Sequence, residues 1–451
     1  MNIVHYIIGV PPFRHGGASK YALDLALEQS KTNKVFLLFP GDTLKWGNRS
    51  YFSKGKDVYS LSCFTIQNPV VSPLLFGIKE ANAIMDHQKK IDDRDLERFH
   101  TSTLPDVVHL HTLMGIPESL LLFWKKKKVK IIMTSHDYYG ICLKANFIND
   151  KDELCKKPGG AQCASCNQSS KGYWFLKLCN SSIFLKYKHL IPLKATHFKG
   201  ENKEKKERGL SCSKSEVISF GLLIEYYKNF FSLIDFIHFN STVAEETYLR
   251  FINVKRSRVV PITTNKITDR RIVKKFDIDR MRLGFVGGVN VNKGFPMLKT
   301  ILIELYSKGI SNFTLDVWED GLIGIDKECP LIRYNGKYND NQLVDVFTTM
   351  DLLIVPSIWK ETFSLVALES LSFGTPVVVS DNVGAKIIVK QYDEKFIYSD
   401  KEELKSLLEK ISKDNTLLQN YHNKLVSAPW DHLVSTHSED ILSIYSELIK
   451  L

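Results

Sequence analysis

Residues 351–384, DLLIVPSIWKETFSLVALESLSFGTPVVVSDNVG, spell out one complete strand–loop–helix–strand unit. Leu352, Leu353, Ile354 and Val355 form a short apolar run stopped by Pro356, the pattern of a strand buried on both faces of a parallel sheet. A loop from Ser357 to Thr362 carries a carboxylate, Glu361. A helical pattern follows, with Phe363, Val366, Leu371 and Phe373 on its apolar side and a second carboxylate at Glu369. Gly374 ends the helix, Pro376 restarts extended chain, and Val377–Val379 is the next strand. The loop therefore lies at the carboxyl end of a parallel strand, where open α/β sheets bind ligands. On a helix the two glutamates would stand roughly 12 Å apart along the axis. That is too far to share a proton, yet suited to holding two ends of an extended ligand, with helix N–H groups between them for a phosphate. An ordinary amphipathic helix with two solvated acids meets the same spacing.

The fuller pattern, S-x-W-x-E-T-F-S-x-x-x-x-E-x-x-x-x-G-x-P-V from Ser357 to Val377, resembles the donor-site signature of retaining glycosyltransferases of family 4, the glycosyl transferases group 1 of bacterial polysaccharide biosynthesis. The resemblance implies an α/β chain of GT-B architecture: two facing Rossmann-like domains with a C-terminal helix crossing back to the first. It implies a glycosyltransferase (EC 2.4 class) in which Glu361 holds sugar hydroxyls, the backbone at Thr362 and Phe363 meets a diphosphate, and Glu369 takes the ribose hydroxyls. Such enzymes retain anomeric configuration by same-face attack with the leaving phosphate as base, and need no glycosidase-type carboxylate pair and no catalytic cofactor.

The bulk composition agrees with two globular domains. A chain of 451 residues exceeds what one core usually supports, and 44% hydrophobic with 25% charged residues is ordinary for such domains. No apolar run is long enough to span a bilayer. The start, MNIVHYIIGVPP, lacks a basic n-region and a small-residue cleavage site, so it reads as a first strand and the expected location is cytosolic. A net charge of +11 favours an anionic partner. No nucleic-acid module accompanies it and the basic residues are clustered, which points to the inner face of a plasma membrane. Eight cysteines in a cytosolic chain argue for thiols or metal ligands.

In the amino-terminal half, strand Asn2–Val10 leads through Gly16-Gly17 into a helix over Ala18–Gln29. The glycines allow close backbone approach at a helix amino terminus, and the resemblance places the donor phosphates there. Strands follow at Lys34–Phe39, near Val58 and Phe64, at Asp106–His111 and at Lys130–Thr134. A polar helix is expected over Lys79–His100 and another over Gly115–Trp124. Strand Lys130–Thr134 ends in Ser135-His136-Asp137, and His136 matches the histidine with which the family contacts the donor sugar.

Cys142, Cys155, Cys163 and Cys166 then form C-x12-C-x7-C-x2-C. The C-x2-C knuckle lets two thiolates reach one ion, and four sulfurs would suit a structural Zn2+; a loop with free thiols is the plainer alternative. Between Lys186 and Lys214 basic residues (Lys188, Lys194, Lys199, Lys203, Lys205, Lys206 and Arg208 among them) interleave with Phe184, Tyr187, Leu190, Ile191 and Phe198. That composition suits an anionic bilayer surface, and equally a solvated charged loop.

Beyond a linker at 263–279, Met281–Phe285 with Gly287-Gly288 opens a second Rossmann-like unit. Lys293-Gly294 precedes a helix from Phe295, placing Lys293 for a diphosphate at that amino terminus. The family commonly carries an arginine where this chain has Gly288, so charge neutralisation falls on Lys293 and backbone amides. The expected domains are 1–265, with Cys-rich and basic inserts at about 142–215, then 280–429, then a closing helix over 430–451. The expected activity moves a sugar from a nucleotide-sugar to a lipid-linked oligosaccharide in capsule, exopolysaccharide or O-antigen synthesis. The rivals are a GT-B nucleotide-sugar epimerase and a non-catalytic nucleotide-sugar-binding protein.

Overall fold

The computed structural model describes every residue except 12, 13, 15, 46, 48, 74, 75, 88, 89 and 188–211. The strands fall into two sheets. The first holds β1 (Asn2–Tyr6), β2 (Lys34–Pro40), β3 (Tyr51–Lys54), β4 (Ser62–Gln67), β5 (Val107–Leu110), β6 (Lys130–Thr134), β7 (Phe236–Phe239) and β8 (Ser257–Val259), in the order β3-β4-β2-β1-β5-β6-β7-β8. The second holds β9 (Met281–Val286), β10 (Phe313–Trp318), β11 (Ile323–Ile325), β12 (Ile332–Asn335), β13 (Leu352–Val355), β14 (Val377–Ser380) and β15 (Ile397–Tyr398), in the order β11-β12-β10-β9-β13-β14-β15. The pairing is parallel except where the edge strands β3 and β11 turn back on β4 and β12.

The second sheet follows directly from the apolar runs that predict it. All four residues of β13 are buried, and Val377, Val378 and Val379 of β14 have no exposed surface. Taking each such side chain out of water contributes about 1.5–3 kcal/mol, enough to fix which segments lie at the centre. The edges were less readable. β3 and β11 are mostly exposed, three or four residues long, and carry no apolar run. Val58 makes only an isolated bridge to Leu61 and is not part of a strand. The single helix expected over Lys79–His100 is two, Ala81–Asp86 and Asp93–Thr103. The second starts where the Asp92 carboxylate accepts the Arg94 N–H, an N-cap that sets its beginning.

The chain packs as two units: Met1–His238 with Tyr248–Arg258 and Ile441–Leu451, and Phe239–Thr247 with Val259–Asp440. The last helix, Val434–Ile449, starts four residues later than its apolar pattern suggested and runs from the second unit into the first. Its Tyr445 is fully buried in the first unit. In that unit β1 and β5 run level, with His5 opposite His109. His111, two residues on, lies on the same side of the sheet. The helix Gly17–Gln29 buries Tyr21, Leu25 and Gln29, spaced four apart on one face. These registers gather the polar groups described below.

Candidate functional site

In the second unit the centre of the site is Glu361. It does not lie on the helix: the helix starts at Leu365, and Glu361 sits in extended chain bridged to Val383. The helical rise between Glu361 and Glu369 therefore does not describe their separation. Glu361 is held on both sides of its peptide, its N–H donating to Asn382 O at 2.9 Å and its carbonyl accepting from Gly384 N–H at 2.9 Å. Gly384 is needed there, because a Cβ would stand 2.0 Å from Thr362 O. Ser364, just before the helix, adopts φ 92°, backbone strain of the kind that clusters at functional sites.

The Glu361 side chain is 9% exposed. Lys293 Nζ donates to Oε1 at 2.8 Å, and Ser357 Oγ donates to Oε2 at 2.5 Å. Burial opposes its ionisation, but the Lys293 charge and these hydrogen bonds outweigh burial and hold the carboxyl below its ordinary pKa. It is a carboxylate at neutral pH. Each oxygen keeps further lone-pair capacity for a hydroxyl donor.

Lys293 also lies over the Trp359 ring, 5.5 Å from its centroid. Its ammonium has two further N–H groups to offer. Gly294 explains how it gets there: at φ 70° it lets the start of the helix Phe295–Ser307 approach so closely that a Cβ would be 1.7 Å from Pro356 O. The loop before it is tied down by Val289 N–H to the Glu319 carboxylate and Lys293 N–H to Asn290 Oδ1 at 3.1 Å. Lys293 and Glu361, 68 residues apart, are thus brought together by the strand ends of β9 and β13.

The other expected residues of this unit distribute as follows. Thr362 and Phe363 are buried; the Thr362 carbonyl accepts from Ser241 Oγ at 2.5 Å and the Phe363 carbonyl from Ala385 N–H at 2.7 Å. Their carbonyls are thereby turned into protein contacts. Glu369 is half-buried on the helix Leu365–Ser372, near Tyr338, whose hydroxyl pKa is raised by burial and then by the Glu369 charge. Sequence reasoning missed Ser357, Trp359 and Ser241. Ser357 and Trp359 stood in the quoted pattern, but nothing in their spacing says what they touch.

In the first unit, Gly16 and Gly17 are exposed at the start of the helix Gly17–Gln29, which has no side-chain cap and no acid in its first turn. Its first N–H groups are therefore left to solvent or an anion. His136 lies just beyond β6, half-buried, with the Tyr21 ring edge-on at 4.9 Å. It belongs to a hydrogen-bonded row that sequence reading did not find: His136 Nε2 to His111 Nδ1 at 3.1 Å, His111 Nε2 to His5 Nδ1 at 3.0 Å, and His5 Nε2 to Gln29 Oε1 at 2.9 Å. The H-x-H of β5 was the available signal, but only the β1 register supplies its third member.

Burial lowers the pKa of His5 to about 4, of His136 to about 3, and of His111 well below the usual value. All three are neutral at pH 7. The unfolded chain regains a pKa near 6.5 for each, so below that pH it binds more protons than the folded state and stability falls as pH drops. Asp137 acts oppositely. Burial raises it to about 6, so from 3.8 to about 6 the folded state holds the extra proton and stability falls as pH rises. Three imidazoles outweigh one carboxyl, and the melting temperature should decrease from about pH 7 to pH 5. A flat melting temperature over that range would contradict the buried neutral row.

The four cysteines of the insert are neighbours: the charge states of Cys142, Cys155 and Cys166 all act on Cys163. Gly159 N–H points at Cys163 Sγ at 3.0 Å. Burial pushes the Cys163 thiol up to about 12. Among the described residues only His5, His109 and His111 bring three ligand atoms within 4.8 Å of one another, so the sulfurs stand wider than a bound ion holds them. Of the basic segment, residues 188–211 lie outside the described residues. Lys186 and Lys214 flank them on the helices Ser182–Tyr187 and Lys214–Leu233. No helix among the described residues is long and apolar enough to cross a membrane.

The comparisons fit this geometry. Residues 327–426 match the family profile of Glycosyl transferases group 1, a region that includes Glu361 and Glu369. Two solved structures superpose along nearly the whole chain. Sucrose-phosphate synthase of Thermosynechococcus elongatus is 14% identical, covers 99% of both chains and gives a TM-score of 0.55. HepE of Anabaena, in complex with UDP and glucose, is 13% identical with the same coverage and a TM-score of 0.55. The chain has the GT-B fold. Among curated proteins, an uncharacterized 42.6 kDa protein in the cps region of Klebsiella pneumoniae is 22% identical over 294 residues, 64% of this GT-B chain. The match spans 61% of that relative's own length.

Proposed function

We propose that the chain is a retaining glycosyltransferase of family 4. It would move a sugar from a nucleotide-sugar to a lipid-linked saccharide in the synthesis of capsule, exopolysaccharide or O-antigen. The observation that carries the reading is the Lys293–Glu361–Ser357 cluster at the strand ends of β9 and β13. In this reading the Glu361 carboxylate accepts hydrogen bonds from sugar hydroxyls. Lys293 turns its remaining N–H groups to the diphosphate and stabilises the charge that develops as the glycosidic bond breaks. Backbone N–H groups at Thr362-Phe363 and the helix amino terminus after Gly294 add to that stabilisation, and Glu369 takes the ribose hydroxyls. His136 meets the sugar, and Gly16-Gly17 present N–H groups to the phosphates. The acceptor hydroxyl attacks on the face the phosphate leaves, giving its proton to that phosphate, so no metal or protein nucleophile is required. The test is transfer from labelled nucleotide-sugars to lipid extracts, with the product anomer read by NMR. Nucleotide release with an inverted anomer would refute retention, and release of an epimerised free sugar-nucleotide would favour the epimerase.

The lipid-linked acceptor draws support from the first unit. Trp174, Phe175 and Leu178 of the helix Tyr173–Cys179 are exposed, as are Ile183 and Tyr187 of the next helix. Lys177 lies over Trp174 at 5.0 Å and Lys186 over Tyr187 at 5.3 Å. Aromatic rings that dip below headgroups while lysines stay among them are the chemistry of an anionic bilayer surface. Anionic vesicles should shift Trp174 fluorescence to the blue and float the protein, and Trp174→Ala with Lys177→Ser should weaken both. Equal binding to neutral vesicles would count against it.

The four cysteines are proposed to hold one structural zinc that pins the insert, which requires that the ion draw the sulfurs closer together than they stand here. A bound cation would keep the thiols deprotonated against the burial that now raises them. Metal analysis should find about one zinc per chain, and chelation should lower the melting temperature. Protein purified without metal and equally stable would end the idea.

A further inference from the structure

We propose that Arg14, in the loop between β1 and the helix Gly17–Gln29, binds a phosphate group, and that this is the phosphate joining the acceptor's lipid to its sugar. The assignment to the acceptor rests on the lipid-linked reading given above; the phosphate site itself does not.

The position of Arg14 is built. A Cβ at Gly9, which has φ 145°, would stand 2.6 Å from Arg14 Cγ, so the side-chain stem lies against the Gly9 backbone. The Arg14 N–H donates to Val10 O at 3.0 Å. Its guanidinium is half-buried and stays charged. Burial depresses its pKa, and the neighbouring Cys179 thiol acts the other way. Nη2 donates to Asn180 Oδ1 at 3.5 Å, longer than a good N–H···O bond. Among the described residues Arg14 forms no ion pair with a carboxylate. A half-buried cation with one long contact has a desolvation cost that its surroundings do not repay. An anion on the rest of its N–H fork would repay it, and the planar fork matches two oxygens of a phosphate.

Arg14 could instead serve as the cation at the carboxyl end of the helix Tyr173–Cys179, where Asn180 is the cap. That end is already satisfied. Leu176 O accepts the Asn180 N–H at 3.0 Å and Nδ2 at 2.7 Å. Lys177 O accepts Thr43 Oγ1 at 2.5 Å, and Leu178 O accepts the Ser181 N–H at 2.9 Å and Oγ at 2.7 Å. Asn180 Nδ2 also donates to Ser72 O at 2.9 Å, which fixes the amide with Oδ1 toward Arg14. The guanidinium is not needed by these carbonyls. The same helix exposes Trp174, Phe175 and Leu178. A phosphate held at its carboxyl end would let the attached lipid run over those side chains, which is why the acceptor's phosphate is assigned here over the donor's.

The site is tested on the full chain without nucleotide-sugar, by calorimetric titration with geranyl phosphate, a short lipid phosphate, and with geraniol, inorganic phosphate and UDP. Geranyl phosphate should bind the wild type, inorganic phosphate more weakly and geraniol not at all. Arg14→Gln should weaken geranyl phosphate about 10–100-fold, the loss of charge-assisted hydrogen bonds, and leave any UDP binding as in the wild type. Arg14→Lys, which keeps the charge without the fork, should fall between. Without ligand, the melting temperature of Arg14→Gln should hold or rise, since a desolvated charge is gone; an arginine needed for structure predicts a fall. Geranyl phosphate that fails to bind the wild type, binds no better than geraniol, or binds both Arg14 variants as it binds the wild type would overturn the site. An Arg14→Gln chain that loses UDP and keeps geranyl phosphate would give Arg14 to the donor and overturn the acceptor assignment. If geranyl phosphate binds through Arg14 and no nucleotide ever binds, the transferase reading fails and the phosphate site stands. If nucleotide-sugars bind and geranyl phosphate does not, the reverse holds.

Discussion

Glu361→Gln should leave the fold intact and lower sugar transfer about 10²–10³-fold. The substitution keeps the size of the side chain and an oxygen for the Ser357 hydroxyl, now 2.5 Å away. It removes the charge that pairs with Lys293 at 2.8 Å. Lys293 is 32% exposed on its side chain and can turn to water, so the stability cost should stay near 1 kcal/mol, within the range of partly exposed pairs. What is lost is an ionised acceptor for sugar hydroxyls in a buried place, where charge-assisted hydrogen bonds are about twice as strong as neutral ones. Steady-state kinetics with thermal melting separates the two effects. Near-normal turnover in a folded variant would remove Glu361 from the mechanism.

Lys293→Met should do more damage, to folding and activity alike. It strips the cation from a carboxylate that is 9% exposed. Breaking a buried pair from one side costs about 3–5 kcal/mol, and with Lys293 itself partly exposed the lower end of that range applies. Burial, which already works against ionisation of Glu361, would then meet less opposition. The carboxyl pKa should rise, so activity that needs the carboxylate should be lost at a higher pH than in the wild type. Turnover at neutral pH should fall about 10³-fold, because the leaving diphosphate loses the same ammonium. The pH–rate profile reads the shift directly. An acid limb at the wild-type position would mean that Lys293 does not hold Glu361 in its charged form.

Both predictions rest on a contact that the sequence only half revealed. Residues 351–384 carried the strand, loop, helix and next strand in readable form, because buried parallel strands are continuous apolar runs and Gly374 and Pro376 punctuate them. The same letters did not say that Glu361 lies before the helix. That depends on the 92° φ of Ser364 and on the bridge to Val383, neither of which has a pattern. Nor could spacing show that Lys293 would meet Glu361. Their approach is made by the order of β9 and β13 in the sheet and by Gly294 against Pro356. The histidine row was hidden for the same reason. His5, His109, His111 and Gln29 come from two strands and a helix, and only register brings them level. Exposed edge strands β3 and β11 were illegible because they bury too little to need apolar runs.

The donor site can be tested most directly by calorimetric titration of the purified chain with UDP-, GDP- and dTDP-sugars and with the free nucleoside diphosphates, repeated on Glu361→Gln. One nucleotide should bind wild type and variant alike through its diphosphate. Its sugar form should bind the wild type more tightly, and that extra affinity should vanish in the variant. If no nucleotide or sugar-nucleotide binds the wild type, or if Glu361→Gln keeps the full sugar-dependent affinity, the Lys293–Glu361 cluster is not a donor site.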